Sequence, residues 1–247
     1  SGHPGGSLSA VEILTALYFN VMKIDPSAPH MEGRDRFILS KGHAAPALYT
    51  VLAEKGYFRK DVLQTLRQTS SMLQGHPDMK KTLGVDFSSG SLGQGLSVGC
   101  GMAWALKKRK INNNVYVLLG DGELGEGQVW EAAMAACKYK LDNLIAIVDN
   151  NGVQLDGTTN QIMPLGDLIS KWKAFGWHVE EADGHDFQSL LGAFRHAEHV
   201  KEMPTVIIAK TVKGKGISFM ENDYRWHGKP IFYKDYINAV TELQECN

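Results

Sequence analysis

A glycine-rich loop near the middle of the chain has the residue types and spacing best suited to chemistry. The stretch VYVLLGDGELGEGQVWEAA, residues 115–133, reads as an apolar strand that breaks into glycines and then opens a helix. Gly120, Gly122 and Gly125 have the G-x-G-x-x-G spacing of a dinucleotide-binding turn. A second apolar run ends in Asp149, at about the distance where such folds place a ribose-binding acid. The loop is therefore compatible with the pyrophosphate of NAD.

Asp121, in the middle of this loop, points to a different ligand. Its carboxylate would repel a bare pyrophosphate, but it would bind a divalent cation placed between the two. Mg²⁺ takes about six hard oxygen ligands and usually combines one or two protein carboxylates with substrate phosphates. Asp121, the amide oxygen of Asn151 and the backbone carbonyl of Val153 can supply three ligands, and phosphate oxygens and a water can complete the shell. This metal hypothesis explains both Asp121 and the NNG stretch at 150–152, and the NAD hypothesis explains neither.

Such loops need a scaffold that brings strand ends together, and the rest of the chain has the pattern of one. Strand-like apolar runs alternate with helical periodicity, and the central runs are apolar throughout, as expected of strands covered on both faces. We therefore predict an α/β fold, a three-layer parallel sheet with helices on both faces, whose ligands bind at the carboxyl ends of the strands. The predicted strands are 36–40, 115–119, 144–148, 177–182 and 205–210. The predicted helices are 8–22, capped by Ser7, and 44–55, 60–69, 92–110, 127–140, 186–200 and 233–245.

Composition limits the classes of function. The chain has 247 residues, enough for one large α/β domain, which we assign to residues 1–247. A formal net charge of −1 gives no general attraction to nucleic acid or to a membrane surface. Three scattered cysteines do not make a disulfide framework, so we expect reduced thiols. Because no signal peptide or apolar run of about 20 residues is visible, we expect a cytoplasmic enzyme. The opening SGHPGG is an unusual start for a domain, so we expect a segment upstream of it.

Seven stretches together resemble one enzyme family. GDG, followed after 27 residues by NN, is the thiamine diphosphate motif, and the stretch from GDGELGEG to DNNGVQLDG resembles transketolase. The other stretches resemble transketolase blocks in the family's order: SGHPGG, LSKGHAAPALY, GHP at 75–77, SGSLGQGLSVGCGMA, KTVKGKGI and WHGKP. The resemblance covers essentially the whole chain. It implies the diphosphate-binding (PP-type) domain of that family, with thiamine diphosphate and Mg²⁺ (or Ca²⁺ or Mn²⁺) as cofactors.

The same resemblance assigns roles to individual residues. It makes Asp121, Asn151 and the Val153 carbonyl the metal ligands. Histidine suits the chemistry because it donates to hydroxyl and phosphate oxygens and exchanges protons near neutral pH. The implied cofactor contacts are His43, Gly90, Leu92, Gly122, Asn151, Lys213 and His227, with Gly90 and Leu92 along the aminopyrimidine. The implied catalytic residues are His3 and His76 at the sugar hydroxyls, His227 beside the thiazolium, and Glu126, which with Glu131 faces a second copy of the domain.

Other polar residues have a plainer interpretation. A histidine or lysine outside a motif is more often a surface or core residue than a functional one. Carboxylates at the start of a helix, such as Glu126, also favour the helix dipole without any catalytic role. Glu123 matches no catalytic base. We assign His30, His178, His196, His199, Lys210 and Lys215 to the surface, and we leave His185, in DGHD, undecided and more consistent with a loop cap.

The function that the resemblance implies is transfer of a two-carbon ketol unit from a ketose phosphate to an aldose phosphate. In that family a further domain binds the aminopyrimidine and carries an activating glutamate. The pyrimidine-binding and C-terminal domains match nothing in this chain, so we expect the N-terminal subunit of a split transketolase in an α₂β₂ assembly with a C-terminal subunit. Alternatives are a subunit of a deoxyxylulose-phosphate-synthase-like or dehydrogenase-E1-like enzyme, against which the matched histidines argue, and a cofactor-binding subunit without activity. The donor and acceptor sugars are not readable from these motifs.

Overall fold

The computed structural model describes residues 2–245, which surround one parallel β-sheet. The strands are β1 (Arg36–Leu39), β2 (Val115–Gly120), β3 (Leu144–Asn150), β4 (His178–Asp183) and β5 (Thr205–Lys210). The α-helices are α1 (Pro4–Leu8), α2 (Val11–Ala16), α3 (Ala45–Lys55), α4 (Gln94–Lys108), α5 (Gly127–Lys138), α6 (Thr159–Ile162), α7 (Leu168–Ala174), α8 (Phe187–His199) and α9 (Tyr233–Glu245). Shorter turns are a π-helical turn at Leu17–Val21 and 3₁₀ turns at Gly42–Ala44, Lys60–Thr65, Gly122–Gly125 and Tyr224–Trp226.

The strand order is β1-β2-β3-β5-β4, and every neighbouring pair is parallel. β2 and β3 are adjacent, with Gly120 opposite Asp149 in the register. The chain therefore leaves both strands at the same edge of the sheet, which places the residues after Gly120 beside those after Asn150. This arrangement confirms the predicted parallel sheet and its shared carboxyl edge.

Alternate residues of β2 contribute to two hydrophobic cores, one on each face of the sheet. Tyr116 and Leu118 pack in the core that includes residues of α2, α3 and α8. Val115, Val117 and Leu119 pack in the core that includes residues of α4, α5 and α7. Because both faces are covered, the strand gains from apolar residues at every position, which explains its unbroken apolar run. The three-layer prediction is confirmed.

Several local predictions need correction. The expected helix 8–22 is divided into α1, α2 and the π-helical turn, and Ser7 lies inside α1 rather than capping a helix. Pro4 at the first turn of α1 begins that helix earlier, since its fixed φ suits a helix start. The expected helix 60–69 is a 3₁₀ turn at Lys60–Thr65. α6 and α7, in the segment before β4, were not predicted.

The thiol prediction holds for the cysteines that can be described. Cys100 in α4 and Cys137 in α5 are both free. Cys246 lies outside the described residues. Among residues 2–245, none of the helices combines the length and the hydrophobicity that a membrane span requires.

Candidate functional site

The carboxyl edge of the sheet opens into a cavity of about 170 Å³. Residues from the ends of β1, β2, β3 and β5 meet there because parallel strands deliver their following loops to one edge. The sequence-predicted site residues that line this cavity are His43, Leu92, Asp121, Gly122, Asn151, Val153, Lys213 and His227. The structure therefore brings together residues from well-separated parts of the chain.

Asp121 lies buried at the end of β2, with only 2% of its surface exposed. Its Oδ1 accepts a hydrogen bond from the backbone N–H of Gly122 at 2.7 Å, and its Oδ2 accepts one from Gly152 at 2.5 Å. Burial and the nearby negative charge of Asp149 raise the pKa of Asp121 to about 6. A buried carboxylate held only by backbone amides is an environment that a bound cation would stabilise.

The two other predicted metal ligands flank Asp121. Asn151 Oδ1 accepts from the backbone N–H of Val153 at 3.1 Å, and Asn151 Nδ2 donates to Asp149 Oδ1 at 3.2 Å. These two contacts fix the orientation of the amide, because the nitrogen must face the Asp149 carboxylate. The Val153 carbonyl accepts from Lys213 Nζ at 2.9 Å. A carbonyl oxygen has two lone pairs, so this contact leaves one of them available.

Lys213 is a buried cation on the loop that follows β5, with 2% of its surface exposed. Its Nζ also contacts His227 Nδ1 at 2.9 Å. Burial, together with the positive charge of Lys41, lowers the pKa of Lys213 to about 8. The cavity thus presents a positive group and a negative group within one small space.

Four histidines form a cluster, and two of them, His43 and His227, line the cavity. The ring centroids of His43 and His227 are 4.8 Å apart, and His3 lies 5.3 Å from His43, 5.5 Å from His227 and 6.4 Å from His76. Burial lowers the pKa of His3 to about 4 and that of His227 to about 3, and it also lowers the pKa values of His43 and His76. The cluster is therefore neutral near pH 7, and each ring can offer one donor and one acceptor.

Two contacts define which ring nitrogen carries the proton. An ammonium group and a guanidinium group can only donate, so the nitrogens that face them must accept. Lys213 faces His227 Nδ1, and Arg67 Nη2 faces His3 Nδ1 at 3.4 Å. Both histidines therefore carry their proton on Nε2.

Lys41, which lines the cavity, forms a buried ion pair with Asp149, and the sequence interpretation missed this pair. Asp149 has no exposed surface, and its Oδ2 also accepts from Ser9 Oγ at 2.6 Å. Lys41 Nζ donates in addition to the Gly6 carbonyl at 2.9 Å. Since Asp149 is enclosed by these partners, it cannot reach a ribose, and its interpretation as the NAD-binding acid is wrong. Lys41 follows β1 in the matched SKGH stretch, which was the available signal.

Glu123 is a second buried carboxylate, with 2% of its surface exposed. Its Oε1 accepts from Ser40 Oγ and from the backbone N–H of Gly93 at 2.8 Å, and its Oε2 accepts from Gly120 at 3.1 Å. Every described partner is a donor: Ser40 follows β1, Gly93 precedes α4, and Gly120 ends β2. Glu123 therefore joins the loops around the cavity, consistent with the sequence finding that it matches no base.

Gln154 is a further cavity residue that sequence analysis missed. Its side-chain Nε2 is buried and has no hydrogen-bond partner in the described part of the chain. A buried amide without a partner is costly, so such a donor usually awaits a ligand or a water. Gly122 packs against this side chain, since a Cβ at Gly122 would lie 3.0 Å from Gln154 Cβ. Gln154 lies two residues after NNG in the sequence, and that position was the only signal for it.

Four predicted site residues do not line the cavity: His3 and His76, described above, and Gly90 and Glu126. Gly90, with φ of +151°, packs against His76, because a Cβ there would lie 3.2 Å from the ring. Glu126 is exposed at the N-terminus of α5, next to Gly93, and Glu131 is exposed further along the same helix. The predicted contact of Glu126 and Glu131 with a second copy stays a prediction.

Comparisons with known proteins agree with this geometry. A family model described as transketolase, thiamine diphosphate binding domain, matches residues 1–243. The 6-deoxy-6-sulfo-D-fructose transketolase subunit SqwG of Clostridium sp. (strain MSTE9) is 48% identical over 244 residues, which are 99% of this chain and 89% of that protein. A subunit of the apulose-4-phosphate transketolase of Phocaeicola vulgatus is 45% identical over 245 residues, which are 99% of this chain and 87% of that protein.

Solved structures show the same similarity. The transketolase of Pichia stipitis in complex with sedoheptulose-7-phosphate superposes with a TM-score of 0.93 at 33% sequence identity, over 99% of this chain and 38% of that chain. The two bacterial relatives are named as subunits and are close to this chain in length, whereas the Pichia chain is far longer. The chain belongs to the transketolase family and is its N-terminal thiamine diphosphate-binding domain.

Proposed function

We propose that this chain is the thiamine diphosphate-binding subunit of a split transketolase. With a C-terminal subunit that carries the activating glutamate, it transfers a two-carbon ketol unit from a ketose phosphate to an aldose phosphate. The observation that carries this proposal is the cavity itself, where Asp121, Lys213, the unpartnered amide of Gln154 and neutral histidines meet in a domain of this family. The names of the relatives as subunits support a partner chain.

The cavity residues fit a divalent cation. The Asp121 carboxylate, the Asn151 amide oxygen and the Val153 carbonyl are all hard oxygen donors at one strand edge, the ligand type that Mg²⁺ prefers. Burial and the nearby charge of Asp149 raise the pKa of Asp121, and a bound cation would stabilise the ionised carboxylate. We assign Asp121, Asn151 and Val153 as the metal ligands, for Mg²⁺ or for Ca²⁺ or Mn²⁺.

The residues also fit a diphosphate. Phosphate oxygens need donors, and the cavity offers the Lys213 ammonium, the unpartnered Nε2 of Gln154 and the Nε2–H of His227. His43 and Gly122 line the same space. We assign these residues to the diphosphate end of the cofactor, and we assign the backbone of Gly90 and Leu92 to its aminopyrimidine end.

When bound, thiamine diphosphate supplies carbanion stabilisation, and the protein supplies binding, orientation and charge. His3 presents an Nε2–H that can donate to a sugar oxygen, and His227, whose Nε2–H we assign to the diphosphate, lies beside it. Their low pKa values keep both rings neutral, so they hold a proton without adding positive charge. His76, at the outer edge of the cluster, extends the same donor surface toward the sugar hydroxyls. Glu126 acts at the interface with a second copy.

The partner and the sugars follow from the same proposal. We infer an α₂β₂ assembly, with each active site between the diphosphate-binding domain and the C-terminal subunit. The relatives are named for different ketoses, one sulfonated and one phosphorylated, so the proposal stays at the class of ketoses with an anionic end. We propose that the enzyme is soluble and cytoplasmic.

Calorimetric titration of the purified chain with thiamine diphosphate tests the cofactor assignment. We expect binding in the presence of Mg²⁺ and much weaker binding in EDTA, because without the cation Asp121 repels the diphosphate. Titration with NADH serves as the control and should give no binding. Equal affinity for thiamine diphosphate with and without Mg²⁺ would contradict the metal assignment, and tight NADH binding would contradict the function.

A further inference from the structure

His185 is the residue of the DGHD stretch that the proposed function leaves without a role. It lies in the turn between β4 and α8, and its side chain is 13% exposed. Its Nε2 accepts from the backbone N–H of Val212 at 2.8 Å, and its Nδ1 lies 3.0 Å from Glu12 Oε2. One imidazole thus connects helix α2 with the loop that follows β5.

The two contacts determine the form of the ring. A backbone N–H can only donate, so the Nε2 that faces Val212 carries no proton. The ring proton is then on Nδ1, where it donates to the Glu12 carboxylate. A protonated ring would place an N–H against the N–H of Val212, and the opposite tautomer would do the same. Glu12 therefore selects the one form of His185 that can hold Val212.

The neighbours of Val212 explain why the hydrogen bond between Val212 and His185 matters for Lys213. Thr211 Oγ1 donates to Asp149 Oδ1, and Gly214 N–H donates to the Gly5 carbonyl at 3.0 Å. Lys213, between them, extends its side chain into the cavity to Val153 and His227. Each residue of this loop is thus fixed by a separate partner from a different part of the chain. Of these partners, His185 is the one that binds Val212, the residue directly before Lys213.

The turn that contains His185 lies close to the loop that follows β5. Gly184 N–H donates to the Lys210 carbonyl at 2.7 Å, and a Cβ at Gly184 would lie 2.4 Å from Thr211 Cγ2. The glycine therefore lets the turn lie against the end of β5, where His185 reaches Val212. Neither Glu12 nor His185 lines the cofactor cavity. Any effect of this pair on the cofactor must pass through the loop.

We propose that Glu12 and His185 are a positioning pair that holds the 211–214 loop so that the Lys213 ammonium is preorganised for the diphosphate. The inference rests on the proposed function, because it takes the diphosphate as the ligand of Lys213. If His185 were only a loop cap, it would stabilise the turn between β4 and α8 and would not affect cofactor binding. The positioning pair predicts a loss of cofactor affinity from residues that do not touch the cofactor.

The test compares His185→Leu and Glu12→Gln with a matched control, His178→Leu. His178 lies on β4 and also pairs with a glutamate, since its Nε2 is 2.7 Å from Glu180 Oε1. Within the described residues, no hydrogen bond of the His178 side chain reaches the 211–214 loop. Two quantities are measured on the full chain with Mg²⁺: the Kd for thiamine diphosphate by calorimetry, and hydrogen exchange of the peptide that contains Val212.

We expect His185→Leu to weaken thiamine diphosphate binding about tenfold and to speed exchange at Val212, as the loss of one buried hydrogen bond should. Glu12→Gln keeps an acceptor for Nδ1–H and should stay within about twofold of the wild type, as should His178→Leu. The long-range ¹H–¹⁵N spectrum of His185 should show a proton on Nδ1 in the wild type and in Glu12→Gln.

The outcomes separate this inference from the proposed function. If the wild type binds no thiamine diphosphate, the proposed function is wrong and this inference with it. If the wild type binds, but His185→Leu and His178→Leu bind equally well, the function stands and the positioning pair is refuted. A proton on Nε2 of His185 in the wild type would also refute it.

Discussion

Replacing Asp121 by asparagine removes the buried charge that the proposed cation needs. The folded chain raises the pKa of Asp121 from 3.8 to about 6, because the carboxylate is buried near Asp149. A group whose folded pKa is raised contributes stability at low pH and loses it as the pH rises through the folded pKa. At about 1.36 kcal/mol for each pKa unit, ionised Asp121 costs the cation-free chain about 3 kcal/mol of unfolding free energy at high pH.

Only part of this cost is accessible in a practical pH range. Between about pH 5 and pH 8 the contribution of Asp121 should fall by about 1.4 kcal/mol. Asparagine does not titrate, so Asp121→Asn lacks this contribution at both pH values. The amide places an NH₂ against one of two backbone donors, Gly122 or Gly152, which costs about 1–3 kcal/mol at every pH and cancels when two pH values are compared.

The assay is urea unfolding of the wild type and of Asp121→Asn in EDTA at about pH 5 and pH 8. The unfolding free energy of the wild type should fall by about 1.4 kcal/mol relative to that of the variant as the pH rises. At the higher pH, Mg²⁺ and thiamine diphosphate at about 100 times their Kd should then stabilise the wild type by about 2.7 kcal/mol and leave the variant almost unchanged. The assignment of Asp121 would be refuted if the difference in unfolding free energy between the two proteins did not change with pH. It would also be refuted if the cofactors stabilised both proteins equally.

Two further predictions concern the neighbouring residues. Asn151→Ala should weaken Mg²⁺-dependent binding of thiamine diphosphate less than Asp121→Ala does, because it removes a neutral ligand rather than a charged one; calorimetry at saturating Mg²⁺ measures both, and the reverse order would contradict the ligand assignment. Glu126→Gln combined with Glu131→Gln should reduce turnover of the assembled enzyme without lowering its melting temperature, because we propose that these two exposed carboxylates contact a second copy of the domain. Wild-type turnover in this double variant would leave only the helix-dipole role for these carboxylates.

The sequence was most informative where local spacing and the sheet act together. The apolar runs before Asp121 and Asn151 predict parallel strands, and parallel strands that pair side by side must bring these two residues to one edge. The matched histidines also converge, with neighbouring ring centroids 4.8 to 6.4 Å apart.

The residues that sequence analysis missed depend on contacts between distant parts of the chain. Lys41 pairs with Asp149 across 108 positions, and its place in the matched SKGH stretch does not show that contact. Glu123 gains two of its three donors, Ser40 and Gly93, from distant parts of the chain. Gln154 is notable only because the fold buries its amide. Ser7 was misplaced as a cap because a serine before a helical pattern is a local signal, and Pro4 overrides it.

We propose that this chain is active only with a partner subunit. A general acid or base must lie within hydrogen-bond reach of the proton that it moves. The acids that line the cavity are Asp121, assigned to the cation, and Glu123, whose oxygens are taken by three donors. We therefore propose that the carboxylate that activates the cofactor comes from a companion chain.

Ketol transfer from a ketose phosphate to an aldose phosphate, measured with and without the C-terminal subunit, tests this claim most directly. With thiamine diphosphate and Mg²⁺ present, the purified chain alone should show negligible transfer. Addition of the C-terminal subunit should restore turnover and tighten cofactor binding. Robust turnover by the chain alone would contradict the account, because the activating base would then lie within this chain.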